Sequence, residues 1–184
     1  MIRIKKVTSH SELEGIQKLQ QENLKKNLTD RESDVEGFVT AEYSMAFLEK
    51  MHRASPSIIA KAGEQVIGYA LVSAKAVSQE HELLADLCNS IDRIRYRGQL
   101  LKDSSYVVVG QLCVSKNYRG LGLVQKMYHY FKDCLSSDFD YCLTDIAKDN
   151  PRSLKAHIKS GFKVIDSLDY GGLSWDIVLW DWKS

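Results

Sequence analysis

Residues 2–7 alternate apolar and polar side chains, the pattern of a strand with one face on a core. Ser11 with Glu14 three residues on reads as a capping box, and Leu13, Ile16, Leu19 and Leu24 then mark one face of a helix. Residues 27–39 are polar and predict a loop. Thr40 reads as the next cap, ahead of Met45, Phe47, Leu48 and Met51 at helical spacing. Two arms, 57–62 and 65–73, flank Gly63-Glu64 and predict a hairpin. Residues 81–95 predict a helix with Leu84, Leu87, Cys88, Ile91 and Ile94 on one face. Residues 106–114 are densely apolar, as a central strand covered on both faces would be. A helix over 120–135, a strand over 141–147 and a short helix over 151–160 follow. Pro151 stands at a permitted first-turn position and Gly161 stops that helix. Strands over 162–167 and 173–182 complete the chain. Strands first, then strand and helix in alternation, predict an α/β (α+β) mixed sheet with helices on both faces.

Nothing divides this pattern. The 184 residues hold two prolines, Pro56 and Pro151, with no Gly/Ser-rich linker and no internal repeat, so a single domain over 1–184 is expected. Lys and Arg total 25 against 24 Asp and Glu, a formal charge of +1, which gives no bulk electrostatic case for nucleic acid or an anionic membrane. The longest purely apolar runs are four residues, against the roughly 20 that a spanning helix needs. Residues 1–7 contain no apolar signal core, and Cys88, Cys113, Cys134 and Cys142 form no CxxC. The expectation is a cytoplasmic protein with reduced cysteines and no metal. The final strand is apolar, and at a sheet edge it would need cover, which a second copy in a homodimer could give.

Candidate chemistry concentrates between residues 107 and 127. A strand runs into a short polar turn, then Arg119-Gly120-Leu121-Gly122-Leu123-Val124-Gln125, then a helix. The first N–H groups of a helix lack internal partners and carry partial positive charge. Glycines remove the side chains that would keep a phosphate from the backbone. The turn could therefore cradle a diphosphate, or be glycine-rich only in order to bend. A P-loop needs GxxxxGK[ST], which is absent, and a dinucleotide fingerprint needs a third glycine that this stretch lacks.

The stretch resembles motif A of the GNAT N-acetyltransferase superfamily, [RQ]-x-x-G-x-[GA], with Val124 where the family has Gly or Ala. Residues 145–162, with Asn150 after a strand and Gly161-Phe162 after a short helix, are similar to that family's motif B. The order of elements matches along nearly the whole chain. The resemblance implies a mostly antiparallel sheet of six or seven strands whose central pair splays, with pantetheine entering the gap. It implies that the backbone of Leu112, Cys113 and Val114 bonds the pantetheine amides. The N–H groups of Gly120, Leu121, Gly122, Leu123, Val124 and Gln125, with Arg119 as a cation, would surround the diphosphate. Asn150 would hold the pantetheine arm.

The activity so implied is direct acetyl transfer from acetyl-CoA to a primary amine of a small molecule or peptide. A non-catalytic acyl-CoA-binding or regulatory module on the same fold is the alternative. Many members carry a tyrosine acid seven residues after the motif B Asn; here that position is His157, with Tyr128 and Tyr170 as other phenols. Asp145, five residues before Asn150, stands where some members place a base, whereas Gln111 stands where others carry glutamate. The acceptor site is expected from the first two helices, their loop and the last two strands. Asp30, Glu32, Asp34 and Glu36 would attract a cationic amine, and Glu42, Tyr43, Tyr170 and Trp175 would line the pocket.

Overall fold

The computed structural model describes residues 1–30 and 37–183. The chain runs β1 (Ile2–Lys6), α1 (His10–Asn23), α2 (Met45–Ala54), β2 (Ile58–Ala62), β3 (Gln65–Ser73), the one-turn α3 (Lys75–Ser78) and α4 (Glu82–Ile91). A two-residue hairpin, β4 (Arg95–Tyr96) and β5 (Gln99–Leu100), leads to β6 (Tyr106–Val114), α5 (Leu123–Leu135), β7 (Tyr141–Ala147), α6 (Pro151–Ser160), β8 (Lys163–Tyr170) and β9 (Leu173–Asp181). Seven strands form one sheet in the order β1-β2-β3-β6-β7-β9-β8, antiparallel at every pairing except β6 with β7.

The predicted elements form, with two caps displaced. Ser9, not Ser11, caps α1: its Oγ accepts from Glu12 N–H at 3.3 Å, and Glu12 in turn accepts from Thr8 N–H at 2.8 Å. Ser-x-x-Glu occurs twice in overlap here. The earlier pair brings Glu12 against Lys5 (2.7 Å) and Lys61 (3.2 Å). Burial alone would raise the Glu12 pKa, and the bonds from Lys5, Thr8 N–H and Lys61 outweigh it and hold the carboxyl at about 2. Likewise Ser44, not Thr40, caps α2, accepting from Phe47 N–H at 3.2 Å.

Period-two alternation in the strands divides the core between the two sheet faces. Tyr69, Leu71, Val108, Leu143 and Ile177 meet the apolar stripes of α1, α2 and α4 on one face. Ile67, Ala70, Val107, Val109 and Val178 meet α5 on the other. Among the described residues no helix is long and apolar enough to cross a membrane.

The last strand is not where the homodimer argument needs it. β9 lies between β7 and β8 and is paired along both sides, so its apolar character reflects an interior place rather than an edge in want of a partner. The edges are β1 and β8. β8 is blunted by Lys163, Asp166, Asp169 and a bulge at Ile165.

The decisive feature is in β6. It pairs with β3 along its length but with β7 only at Tyr106↔Tyr141, Val107↔Cys142 and Val108↔Leu143. Opposite β3 the register jumps from Val72↔Val109 to Leu71↔Gln111, leaving Gly110 as an extra residue. Such a bulge bends its strand. A Cβ there would stand 2.9 Å from Met51 Cε, so any side chain would displace the end of that methionine. The Thr144 hydroxyl donates to Val109 O at 2.8 Å as the last tie across the pair. Beyond it β6 and β7 diverge.

Candidate active site

The fork opens into a cleft of about 370 Å³. Leu112, Cys113 and Val114 form one wall of it, on the side of β6 that β7 has left. At its end stands the glycine turn. Gly120 and Gly122 adopt φ of 78° and 70°, the left-handed region that side chains resist. Gly122 directly precedes α5, and the first N–H to bond back is that of Lys126, to Gly122 O at 3.1 Å. The N–H groups of Leu123, Val124 and Gln125 are thus the unpaired donors of a helix start. No heavy atom lies within 4 Å of a Cβ built on Gly120, and only Gln125 Oε1, at 3.9 Å, on Gly122. The turn is therefore open toward the cleft rather than filled by its own side chains, so of the two readings of these glycines the cradle is the one the geometry fits.

The other sequence-predicted residues divide. Val124, Gln125 and Asn150 line this cleft, but Leu121 does not; its side chain points to solvent and is 52% exposed. Arg119 lines it too, yet its guanidinium donates to Val114 O (3.0 Å) and to Asn23 Oδ1 (2.8 Å), bracing the turn against α1. Cations come also from the facing helix: Arg152, Lys155 and Lys159 of α6 stand on the opposite wall. Their spacing of three and four residues was the available signal for one helical face.

A smaller cleft of about 90 Å³ meets the first at the fork, sharing Leu112, Asn150 and Ser153 with it. Asp145 of β7 and His157 of α6 both line it. Asp145 is half-buried with no cation beside it among the described residues, and desolvation lifts its pKa from 3.8 to about 7. His157 is fully engaged. Ser153 O is an acceptor only, so His157 Nδ1 carries the proton shared at 2.8 Å, and Nε2 accepts from the Tyr128 hydroxyl at 2.7 Å. Burial lowers its pKa to about 4, so the ring is neutral at pH 7. Asn150 caps α6 through Ser153 N–H (3.3 Å) and donates to Phe38 O (3.1 Å).

Gln111 belongs to a closed polar network. It accepts from Gln20 (3.0 Å) and Tyr69 (2.7 Å) and donates to Ala41 O (2.8 Å), which fixes α1 and the 37–44 segment on β6. Burial pushes the Cys113 thiol up to about 12, which leaves it without nucleophilic character. Tyr43 and Trp175 line the smaller cleft as expected. Glu42 and Tyr170 do not: Glu42 is exposed and paired with Lys26, and Tyr170 ends β8. Glu32, Asp34 and Glu36 lie outside the described residues. The wall that the sequence did not point to is α4, through Leu83, Leu84 and Leu87. Among the described residues no group of three His, Cys, Asp or Glu is placed to hold a metal.

A sequence profile described as the Acetyltransferase (GNAT) family matches residues 16–162. The chain belongs to the GNAT acetyltransferase family. A search of curated proteins gives no match. Solved structures share the fold over almost the entire chain. A GNAT-family acetyltransferase from Streptococcus agalactiae is 17% identical with a TM-score of 0.66, covering 98% of this chain and 95% of its own. NAA60 of Arabidopsis thaliana, solved with acetyl-CoA, is 15% identical with a TM-score of 0.64, covering 98% and 99%. The ribosomal-protein-S18-alanine N-acetyltransferase of Escherichia coli is 10% identical with a TM-score of 0.63, covering 98% and 94%. This GNAT chain thus has a sheet that splays between β6 and β7, with Asp145 and His157 beside the fork.

Proposed function

We propose that this chain is an acetyl-CoA-dependent N-acetyltransferase that passes acetyl directly to a primary amine. The observation that carries the reading is the meeting of the two clefts at the fork. One is a long groove ending in unpaired backbone donors; the other is a small cavity with a carboxyl group. Acetyl-CoA is held by its diphosphate at the turn from Gly120 to Gln125, and α6 lysines add charge. Its pantetheine lies along Leu112 to Val114 as an additional strand, with the thioester between the clefts.

The amine must lose a proton before it attacks, since a lysine-like amine has a pKa of about 10.4 and a peptide α-amine about 8. Asp145 is the base: a carboxyl group poised near 7 is half ionised at neutral pH and accepts that proton, directly or through one water. The nitrogen then attacks the carbonyl carbon. The oxyanion is met by a β6 backbone N–H at Leu112 or Cys113, past the last ladder bond. The C–S bond breaks and CoA leaves as thiolate, whose affinity for protons is close to that of cysteine, about 8.5; it departs with little assistance and takes up the second proton, which the acylated nitrogen sheds to become the amide. His157 is neutral at pH 7 and its one N–H is bonded to Ser153 O, so in this reading it positions α6 rather than acting as the acid. The high pKa of Cys113 favours direct transfer over an acyl-enzyme.

Thiol release from acetyl-CoA over an amine panel tests the reading. Amine-dependent release that vanishes in Asp145→Asn is the expected result. Acetyl-CoA binding without release on any amine would instead support a binding or regulatory module.

A further inference from the structure

The smaller cleft also constrains the acceptor, an inference that rests on the transferase reading. Its outer wall is the apolar face of α4, Leu83, Leu84 and Leu87, opposed by Phe38 and Trp175. That wall is fixed in place: the His81 ring at the start of α4 packs on Tyr43 (centroids 4.8 Å apart) and Phe47 (5.3 Å). Of the polar side chains that line the cleft, Thr40 and Ser153 among them, four are committed elsewhere. Gln111 is closed in its network, Thr144 donates to Val109 O, Asn150 caps α6, and both His157 nitrogens are bonded. Asp145 is the carboxyl group of the lining, and no Lys or Arg is among the described residues of that lining.

We propose that the acceptor is a primary amine on an apolar carbon skeleton, with no carboxylate or phosphate next to the amine. An arylalkylamine and a peptide N-terminus with an apolar first side chain share this chemistry. A free amino acid would bring its carboxylate against leucines and beside Asp145, where the described residues of the lining offer no cation to receive it. An amino sugar would press hydroxyls against the same leucines without partners. Either arrangement costs the full desolvation of the stranded group. The volume of about 90 Å³ admits only the head of the acceptor, so the recognised part is the amine and its first apolar group.

Leucinol and leucine isolate the claim, because they share a side chain and differ in the carboxylate. With purified protein and acetyl-CoA, kcat/KM for leucinol should exceed that for leucine by about 10²-fold or more. Glucosamine should fall with leucine. Phenethylamine and a leucine-initiated tripeptide amide then tell a small amine from a peptide terminus. Leu83→Arg puts a cation on the half-exposed edge of the wall and should shrink the leucinol preference to about tenfold or less. Leucine or glucosamine used within threefold of leucinol by the unaltered protein would overturn the inference while leaving transfer intact. If no amine is acetylated, the transferase reading falls, and calorimetry on the CoA-loaded protein still decides the acceptor question. The same ranking of affinities supports it, and equal affinities or none overturn it.

Discussion

Replacing Asp145 with Asn should make the protein more stable at the same time as it silences it. The carboxyl pKa rises from 3.8 to about 7 because β7 holds the group in the fork, where burial desolvates it. Between those values the folded chain keeps a proton that the unfolded chain has lost. The unfolded state binds fewer protons there, so stability falls as pH rises through this window and is level above it. The full rise corresponds to about 4 kcal/mol at pH 8, at about 1.4 kcal/mol per tenfold. The side chain is only half-buried, and screening brings the figure to about 2–4 kcal/mol. Asn keeps the shape and does not titrate. Thermal unfolding followed by circular dichroism between pH 5 and pH 8.5 reads the difference. For a domain of this size about 1 kcal/mol moves Tm by about 2–4 °C, so Asp145→Asn should gain about 4–16 °C at pH 8 and markedly less at pH 5. In parallel its kcat should fall by about 10²-fold or more. A Tm difference that does not change with pH would refute the desolvated carboxyl. An unchanged kcat would refute its role as base.

Gly122→Asp places a carboxylate at the helix start and a side chain at φ 70°. Calorimetry should show affinity for acetyl-CoA reduced by about tenfold or more with the far-ultraviolet spectrum retained, and undiminished affinity would count against the cradle. Tyr128→Phe removes the donor to His157 Nε2 and leaves a buried acceptor unsatisfied, so urea unfolding should show a loss of about 1–3 kcal/mol. Its kcat at pH 7.5 should change little, because His157 is already neutral; a loss comparable to that in Asp145→Asn would restore His157 to the chemistry.

Most of the element order was legible because amphipathic periodicity is strong in α2, α4 and α5. The glycine turn was legible because Gly-x-Gly between a strand and a helix has few uses. What stayed hidden depends on placement rather than pattern. Overlapping Ser-x-x-Glu pairs cannot be ranked until Lys5 and Lys61 are seen beside Glu12. An apolar final strand reads alike at an edge or in the interior. The stripe on α4 says that the helix buries leucines, not that three of them wall a cleft. His157 reads as a proton donor until its neighbours, Tyr128 and Ser153 O, occupy both nitrogens. Asp145 stands in the sequence as a base by resemblance alone, and its raised pKa shows only once the fork half-buries it.

The central claim is that acetyl-CoA enters the fork and completes β6 as a strand would. Amide hydrogen exchange with and without acetyl-CoA tests it most directly, because Leu112 to Val114 lie where β6 has no β7 partner. Protection should rise at residues 112–114 and at 120–125 together, with little change along β1 and β2. Binding that leaves the 112–114 amides exchanging at their free rate would contradict the account.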